Sequence, residues 1–493
     1  MIDEQTIKEM EITTENIKAV FKDHDDVMYK VAFIRGEPEL RADLVYVDGM
    51  ADVSSINEDI IKPLNENPVF QRVNTQEEAY EAAVNGGIYH GSMVMLKDME
   101  ELVSTLLFGF TVVVFDGIKK AIAFETKGFK YRSVTAAQEE NTYKSPKDAF
   151  VENIRVNVSL IRQKIISRHL AVSELDVGTL SNTPCSILYM SNICNEEFVE
   201  IIKTRLKNMK QEDALSMQDV YESLVEHKYT MFPQAKSTES SSIVCSSLME
   251  GKVAVLINGI PYALIFPMVF GDLFNSSFDY NINFALASFF RIMRYASFLF
   301  TLLLPGIYVA IAEFHPEMIP FALLNAIGAA KAGTPFNTVL EILIMSFTFY
   351  VLIQVSMQVP TSMGSAVSIV GGIVLGQAAV QAQLVSPGVI VVIAAASIAA
   401  LAIPNKDANF AVWIWQGFIT ILTSVYGLYG LSAGFILFLY CLARLESLGV
   451  PYLSPYIHPS KMQPEDSFIR FPLTDIQYRP IYLKPKEKER KKK

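Results

Sequence analysis

Between Ile342 and Asn405 the chain has no Asp, Glu, Lys or Arg, and from Tyr295 to Ala443 it has six: Glu313, Glu317, Lys331, Glu341, Lys406 and Asp407. That scarcity excludes a wholly water-soluble protein. It is what hydrocarbon demands, since a central charge in a membrane helix costs roughly 2.5–3.5 kcal/mol even on the lenient insertion scale. Cysteine is scarce as well. Cys185, Cys194, Cys245 and Cys441 share no CxxC or metal-site spacing, which excludes a disulfide scaffold and reads as buried, reduced thiols. The six histidines are scattered, and no His/Cys/Asp cluster has metal-ligand spacing. No GxGxxG, P-loop or nucleophile elbow occurs. Neither an enzyme nor a bound metal or cofactor is expected, and nothing points to nucleic acid. Met1-Ile2-Asp3-Glu4 lacks an apolar h-region, so no cleavable signal is expected and the charged half reads as cytoplasmic.

What is present divides near residue 288. At 493 residues there is room for three or so domains at a loose ~150 residues each. The acidic residues lie mostly in the first 280 or so positions, whereas the end is basic: Lys484, Lys486, Lys488, Arg490, Lys491, Lys492 and Lys493 against two glutamates. Basic segments beside spans tend to stay cytoplasmic and can touch anionic lipid. A disordered solubilising tail accounts for the same composition.

Two apolar runs in the charged half, Thr105–Phe115 and Val253–Phe270, imitate membrane spans. The first is too short to cross ~30 Å of hydrocarbon. The second is divided by Asn258-Gly259, as the first run is followed by Asp116-Gly117. Both dipeptides are hairpin signals with type I′ chemistry. The hairpins open on Gly109 and Gly251, 142 residues apart, and Ala42–Leu64 resembles Ser186–Leu206 at nearly the same offset. Agreement of both pairs in order predicts a duplication: two copies of one α/β unit, at 20–140 and 170–270. Between them, Phe150, Ile154, Val158, Ile161 and Ile165 recur at helical spacing, with Arg155, Arg162, Lys164 and Arg168 expected on the surface. This helix reads either as a connecting lever or as plain amphipathic packing.

The fold class is thus α/β plus all-α membrane: a duplicated α/β cytoplasmic module, then a polytopic transmembrane helical bundle. The expected domains are 1–145, 146–280 (connecting helix and second copy), 281–445 (membrane) and 446–493 (Pro-rich, basic cytoplasmic tail). Apolar runs lie at Phe289–Phe314, Phe336–Met357, Ser365–Val385, Pro387–Ile403, Asn409–Tyr426 and Leu428–Leu442, with Met318–Ala330 too short to span. The expected count is about five spans plus one short or re-entrant segment. Arg291 and Arg294 can snorkel to the inner interface, and Trp413 and Trp415 are candidate interfacial aromatics.

Polar side chains in these runs are the functional candidates. Glu341 sits near the start of its span. Gln377 and Gln381 share a face at i and i+4, beside a GxxxG spacing at Gly372–Gly376. A lipid-facing amide is unsatisfied, so this face must meet water or another helix. Glu341, Gln377 and Gln381 are therefore candidates for an ion pathway or for interhelical polar contacts. The break at Phe314-His315-Pro316-Glu317-Met318-Ile319-Pro320 makes His315, Pro316, Glu317 and Pro320 the candidate signal-coupling motif.

Several stretches also occur, in order, in a known family: Tyr46-Val47-Asp48-Gly49, Phe232-Pro233-Gln234 before Thr238-Glu239, Glu250–Leu256, Phe314–Pro320, Val367–Gly371, Gly376–Val380, Leu384–Pro387 and Gly449–Pro455. Over almost its whole length the chain resembles the A subunits of spore germination receptors, the GerA family. The resemblance implies a multi-pass subunit of the spore inner membrane that assembles with a permease-like membrane B subunit and a lipoprotein C subunit. It also implies nutrient sensing, release of monovalent cations and a homo-oligomer through the A subunit. Ser240-Ser241-Ser242 stand where relatives often have Arg-Pro-Asp. Ser346, Tyr350, Ile353 and Gln354 stand where charge is expected, and Thr361-Ser362 replace Arg-Pro. A stand-alone ion-release amplifier, a transporter and a non-conducting scaffold are the alternatives. A transporter would show an inverted repeat with paired broken helices, and only one broken segment is found.

Overall fold

The computed structural model describes residues 4–88, 91–128, 148–358, 374, 376–457, 468–472 and 474–490. The chain forms two compact units. A sheet unit holds Met1–Glu226, Ala235–Pro267 and Gln477–Lys493, and a helical unit holds His227–Gln234 and Met268–Ile476.

After a short helix at Glu4–Glu9, the sheet unit has helix α1 (Thr14–Val20) and strands β1 (Val27–Phe33) and β2 (Arg41–Val47). After a broken helix at 53–66 come β3 (Met93–Leu96), α2 (Met99–Leu107), β4 (Thr111–Phe115) and β5 (Lys120–Phe124). They form an antiparallel sheet in the order β1-β2-β4-β5-β3. β4 is buried at every position. Its run Thr-Val-Val-Val-Phe is continuously apolar because both faces of the sheet are covered, one cluster containing Val112 and Val114 and the other Val113 and Phe115.

The second half repeats this plan with α3 (Ile154–Lys164), β6 (Leu170–Val177), β7 (Thr183–Met190), α4 (Glu196–Lys207), β8 (Lys236–Thr238), α5 (Ser241–Glu250), β9 (Val253–Ile257) and β10 (Ala263–Phe266). Its sheet order, β6-β7-β9-β10-β8, is the first sheet's order element for element. Local chemistry recurs too. The helix after the second strand is capped by Asp52, which accepts from Ser54 N at 3.2 Å, and in the other half by Asn195, which accepts from Glu197 N at 3.1 Å. The glycine between the last helix and the fourth strand of each half has positive φ, 86° at Gly109 and 103° at Gly251.

Both expected hairpins are present, with different turns. Register pairs Phe115 with Lys120 and Leu256 with Ala263, so neither is a two-residue type I′ loop. The positive φ falls on Lys119 (56°) in one turn and on Gly259 (87°) in the other. The side chains preceding the two glycines are engaged elsewhere. Asp116 Oδ1 accepts from Thr14 N at 2.7 Å, and Asn258 Oδ1 from Ile154 N at 3.3 Å. Each turn thereby satisfies the first helical N–H of the helix that leads into the first strand of its own half.

The connecting helix α3 is buried on two sides. Ile154, Val158 and Ile161 enter the second half's core with Phe150 and Ile165. Arg162, expected on the surface, is 1% exposed. Its Nε and Nη2 donate to Asp26 at 2.6 and 2.7 Å, and Nη2 also meets His24 Nδ1 at 3.1 Å. Two turns earlier Arg155 pairs with Asp48 at 3.2 Å and with Glu174. Asp26 and Asp48 bracket the β1–β2 hairpin, joined by Asp48 N donating to Asp26 O at 2.8 Å. Gly49 allows the close approach: a Cβ there would lie 2.9 Å from the Arg155 carbonyl oxygen. The residues before β1 also cover the open edge of β6, where Asp25 N donates to Val172 O and Val172 N to Asp23 O.

The helical unit contains α6 (Phe284–Val309), α7 (Phe321–Lys331), α8 (Thr338–Gln358), α9 (Pro387–Ala400), α10 (Lys406–Tyr426) and α11 (Leu428–Arg444), closed by the short pair β11 (Glu446–Ser447) and β12 (Val450–Pro451). Among the described residues three helices are long and apolar enough to cross a membrane: Phe284–Phe314, Thr338–Val355 and Lys406–Tyr426; α9 and α11 are apolar but shorter. Residues 365–373 and 375 of the expected Ser365–Val385 span lie outside the described residues, as do Gly372 of the GxxxG spacing, Val367–Gly371 and Thr361-Ser362. Arg291 and Arg294, the expected snorkelling residues, are paired with an acid. Both donate to Asp279 Oδ2, at 3.1 and 2.8 Å, and Arg291 and Asp279 are fully buried. Arg470 closes the cluster by donating to the Asp279 and Ile282 carbonyls at 2.6 and 2.7 Å.

Candidate functional site in the membrane unit

Glu341, in the first turn of α8, is 1% exposed. Its Oε2 accepts from Ser386 N at 2.9 Å and from Ser386 Oγ at 2.8 Å. Ser386 is the residue from which α9 springs, with Pro387 opening the helix. The carboxylate of one helix therefore caps the N-terminus of another. Ionised acceptors make the stronger hydrogen bonds, and a helix N-terminus favours negative charge. Glu313 Oε1 repeats the device one helix earlier, accepting from Thr338 N at 3.3 Å while paired with Lys331. The acids thus tie α6's end to α8, and α8 to α9. Glu341 thus makes an interhelical contact through Oε2.

Gln377 and Gln381 are both helical and both exposed. Neither is brought to Glu341's carboxylate, whose partner is Ser386. Gln383 ends the helix at φ 56°. Two amides on one exposed face of an apolar helix require water or a further helix.

At the break, a π-helical turn (Ala310–Phe314) runs into a 3-10 turn (Pro316–Met318). His315 Nδ1 lies 3.3 Å from Glu317 Oε1, an exposed pair. Pro316 opens the 3-10 turn and Pro320 precedes α7, as a residue without N–H can at a helix start.

A third constellation was legible only as a pair of matching stretches. His227–Gln234 belongs to the helical unit although its sequence neighbours on both sides belong to the sheet unit. The loop is closed by Gln234, whose Oε1 accepts from His227 N at 3.2 Å and whose Nε2 donates to His227 O at 2.7 Å. Phe232 is buried edge-on to Phe438 of α11, centroids 5.8 Å apart. Tyr452 OH donates to Pro233 O at 2.9 Å, and Ser447 Oγ donates to Gln234 O at 2.7 Å. Ser447 Oγ in turn accepts from Met268 N at 3.2 Å, and Phe270 N donates to Tyr452 O at 2.7 Å. Phe232-Pro233-Gln234 and the Ser447–Tyr452 turn after α11 are thus one knot. Ser447, Tyr452 and Ser386 were not singled out as site residues in the sequence. Their value lies in a partner some 45 to 220 positions away.

These features define a membrane protein class: a sheet unit of two like-ordered halves, joined in one chain to apolar helices whose acids, buried Glu341 and exposed Glu313, cap neighbouring helices. The family follows from comparison. The model of the Bacillus/Clostridium GerA spore germination protein family matches residues 15–482, and the chain belongs to that family. It is 31% identical to spore germination protein KA of Bacillus subtilis over 465 residues, covering 94% of this chain and 85% of the relative. Spore germination protein A1 of the same organism is 33% identical over 79% of each chain. The crystal structure of the N-terminal domain of the A subunit of the Bacillus megaterium spore germinant receptor GerK3 covers 53% of this chain and 96% of its own, at 23% identity and a TM-score of 0.41.

Proposed function

We propose that this chain is the A subunit of a germinant receptor of the spore inner membrane, working with a permease-like B subunit and a lipoprotein C subunit. It responds to nutrient by opening a path for monovalent cations, as a ligand-gated channel or a component of one. The observation that carries this reading is the exposed Gln377/Gln381 face. In a membrane those amides require a second copy of the chain or a water-filled path, and a homo-oligomer around a conduit supplies both.

The like-ordered halves are read as an internal duplication, with the sheet unit cytoplasmic. Met1–Glu226, Ala235–Pro267 and the residues from Gln477 pack into one compact unit. This supports placing both on one face of the membrane, which requires an even number of crossings between them.

The test is potassium release from vesicles containing the reconstituted receptor, with Gln377 and Gln381 each replaced by Ala. Lost or altered release with normal assembly is expected. Wild-type release from both variants removes the Gln face from the pathway. Net uptake of the nutrient itself would favour a transporter.

A further inference from the structure

The last described segment, 477–490, does not stand free as a solubilising tail. Arg479 N donates to Lys488 O at 2.8 Å and Arg490 N to Gln477 O at 2.6 Å, closing a small hairpin. Arg479 braces it from within, its Nη1 donating to the Glu487 and Glu489 carbonyls at 2.8 and 2.6 Å. Leu483 is fully buried.

The hairpin docks on one feature of the second half, the place where the end of α5 meets the start of α4. Arg479 Nε donates to Met249 O at 3.0 Å, satisfying a carbonyl in the last turn of α5. Arg490 pairs with Glu250 at 3.3 Å. Lys486 N donates to Ile193 O at 2.9 Å, while its Nζ reaches Ser191 O at 2.9 Å and Glu196 Oε1 at 2.6 Å. Pro485 lies beside Gly251, the residue that turns α5 into β9. Among the described residues, the neighbour of Gly109, the matching glycine of the first half, is Met50.

The fastening has a character of its own. Apart from Leu483 and bonds to main-chain carbonyls, including those of Arg479 Nε and Lys486 Nζ, it consists of two ion pairs on exposed or half-exposed acids. Such pairs are weak and are screened by salt. The docking site is also the outlet of the second half, since β9 and β10 lead straight to Pro267 and the membrane helices. The strap itself continues the chain that leaves α11.

We propose that residues 477–490 are a releasable strap, docked on the α4/α5 corner at rest and undocked when the receptor responds. The role in response rests on the function proposed above; releasability does not. Hydrogen exchange on the full-length chain in lipid nanodiscs tests it. Raising salt from about 50 to about 500 mM should speed exchange of the Arg479, Lys486 and Arg490 amides roughly tenfold while β7 and β9 amides are unchanged. Lys486→Ala with Arg490→Ala should give the fast rate at low salt. Strap amides that exchange with the β9 core at both salts would overturn the proposal.

The second measurement joins Glu196→Cys to Lys486→Cys with a bismaleimide in a Cys441→Ser background of the reconstituted receptor. Cross-linking should cut nutrient-triggered potassium release at least about tenfold. Release unchanged by the cross-link would overturn the strap's role. Absence of release before cross-linking counts against the channel reading, and the exchange result then decides the strap.

Discussion

Arg162 and Asp26 grip each other through two hydrogen bonds of 2.6 and 2.7 Å, and both side chains are 1% exposed. The pair joins α3 of the second half to the residue just before β1 of the first. Its cost on disruption is asymmetric. Taking one partner away strands a buried charge, while taking both away need not. Arg162→Ala or Asp26→Ala should therefore destabilise the sheet unit by about 3–5 kcal/mol, and Arg162→Met with Asp26→Leu by much less. Denaturant titration of the full chain in detergent, read by hydrogen exchange at β1 and β6, checks this. Equal losses in single and double variants would mean the pair is not the fastening.

His24 sits on the same pair and makes the seam acid-sensitive. Burial first, then the Arg162 cation, lowers its pKa from 6.5 to about 4. The unfolded chain binds the proton more readily than the folded one. Stability is therefore fully present above pH 6.5 and falls as pH drops from there toward 4, by about 3 kcal/mol over the window. His24→Gln should remove this component. Its slope of stability against pH between 6.5 and 4 should be flatter than that of the unchanged protein.

Glu341 should be structural before it is anything else. Glu341→Ala leaves the Ser386 N–H and hydroxyl buried without their acceptor and should cost about 2–4 kcal/mol of helical-unit stability. Glu341→Gln keeps one acceptor and should cost about half as much. Thermal unfolding in detergent measures both. Because the residue caps α9, any loss of potassium release in Glu341→Ala should come with the stability loss. A conduction defect at full stability would restore Glu341 to the pathway.

The sequence read best where one face alone decides a residue's place. Strand pairs separated by Asp-Gly and Asn-Gly announced hairpins, and the halves' common offset followed from them. Turn type did not follow, because Asp116 and Asn258 spend their side chains on helix N-termini distant in sequence. Arg162 looked like surface because amphipathic spacing assumes one buried face, and α3 has two. Arg291 and Arg294 looked like interfacial snorkels because Asp279, the acid they share, lies outside the apolar run. Glu341 was legible as an anomaly in apolar surroundings, but its partner Ser386 is an ordinary cap.

Membrane topology carries a parity constraint. If the compact sheet unit lies on one face, labelling cysteines placed at Lys30 and at Lys488 must succeed from the same side. The three long helices are then an incomplete set, since an odd number of crossings would separate the two positions. α11, with 17 residues, reaches about 26 Å and comes nearest to the required ~30 Å. Cysteines at Tyr429 and Arg444 should therefore label from opposite faces. Labelling of both from one face would leave the remaining crossing to another segment.

The knot around Phe232 should behave as a coupling element rather than as general packing. Phe232→Ala removes a buried ring and should cost about 3–5 kcal/mol, so its phenotype alone would be ambiguous. Tyr452→Phe is the sharper variant. It keeps the ring that touches Phe270 and deletes only the hydroxyl bonded to Pro233 O, at a cost of about 1–3 kcal/mol for the orphaned carbonyl. Ser447→Ala cuts the link between Gln234 O and Met268 N with little change in volume. If the knot passes a signal, both variants should assemble normally yet respond to nutrient more slowly, and the pair together should be no slower than the worse one, because they act on one loop. Additive slowing would mean two independent contacts, and unchanged response at reduced melting temperature would leave the knot a structural anchor.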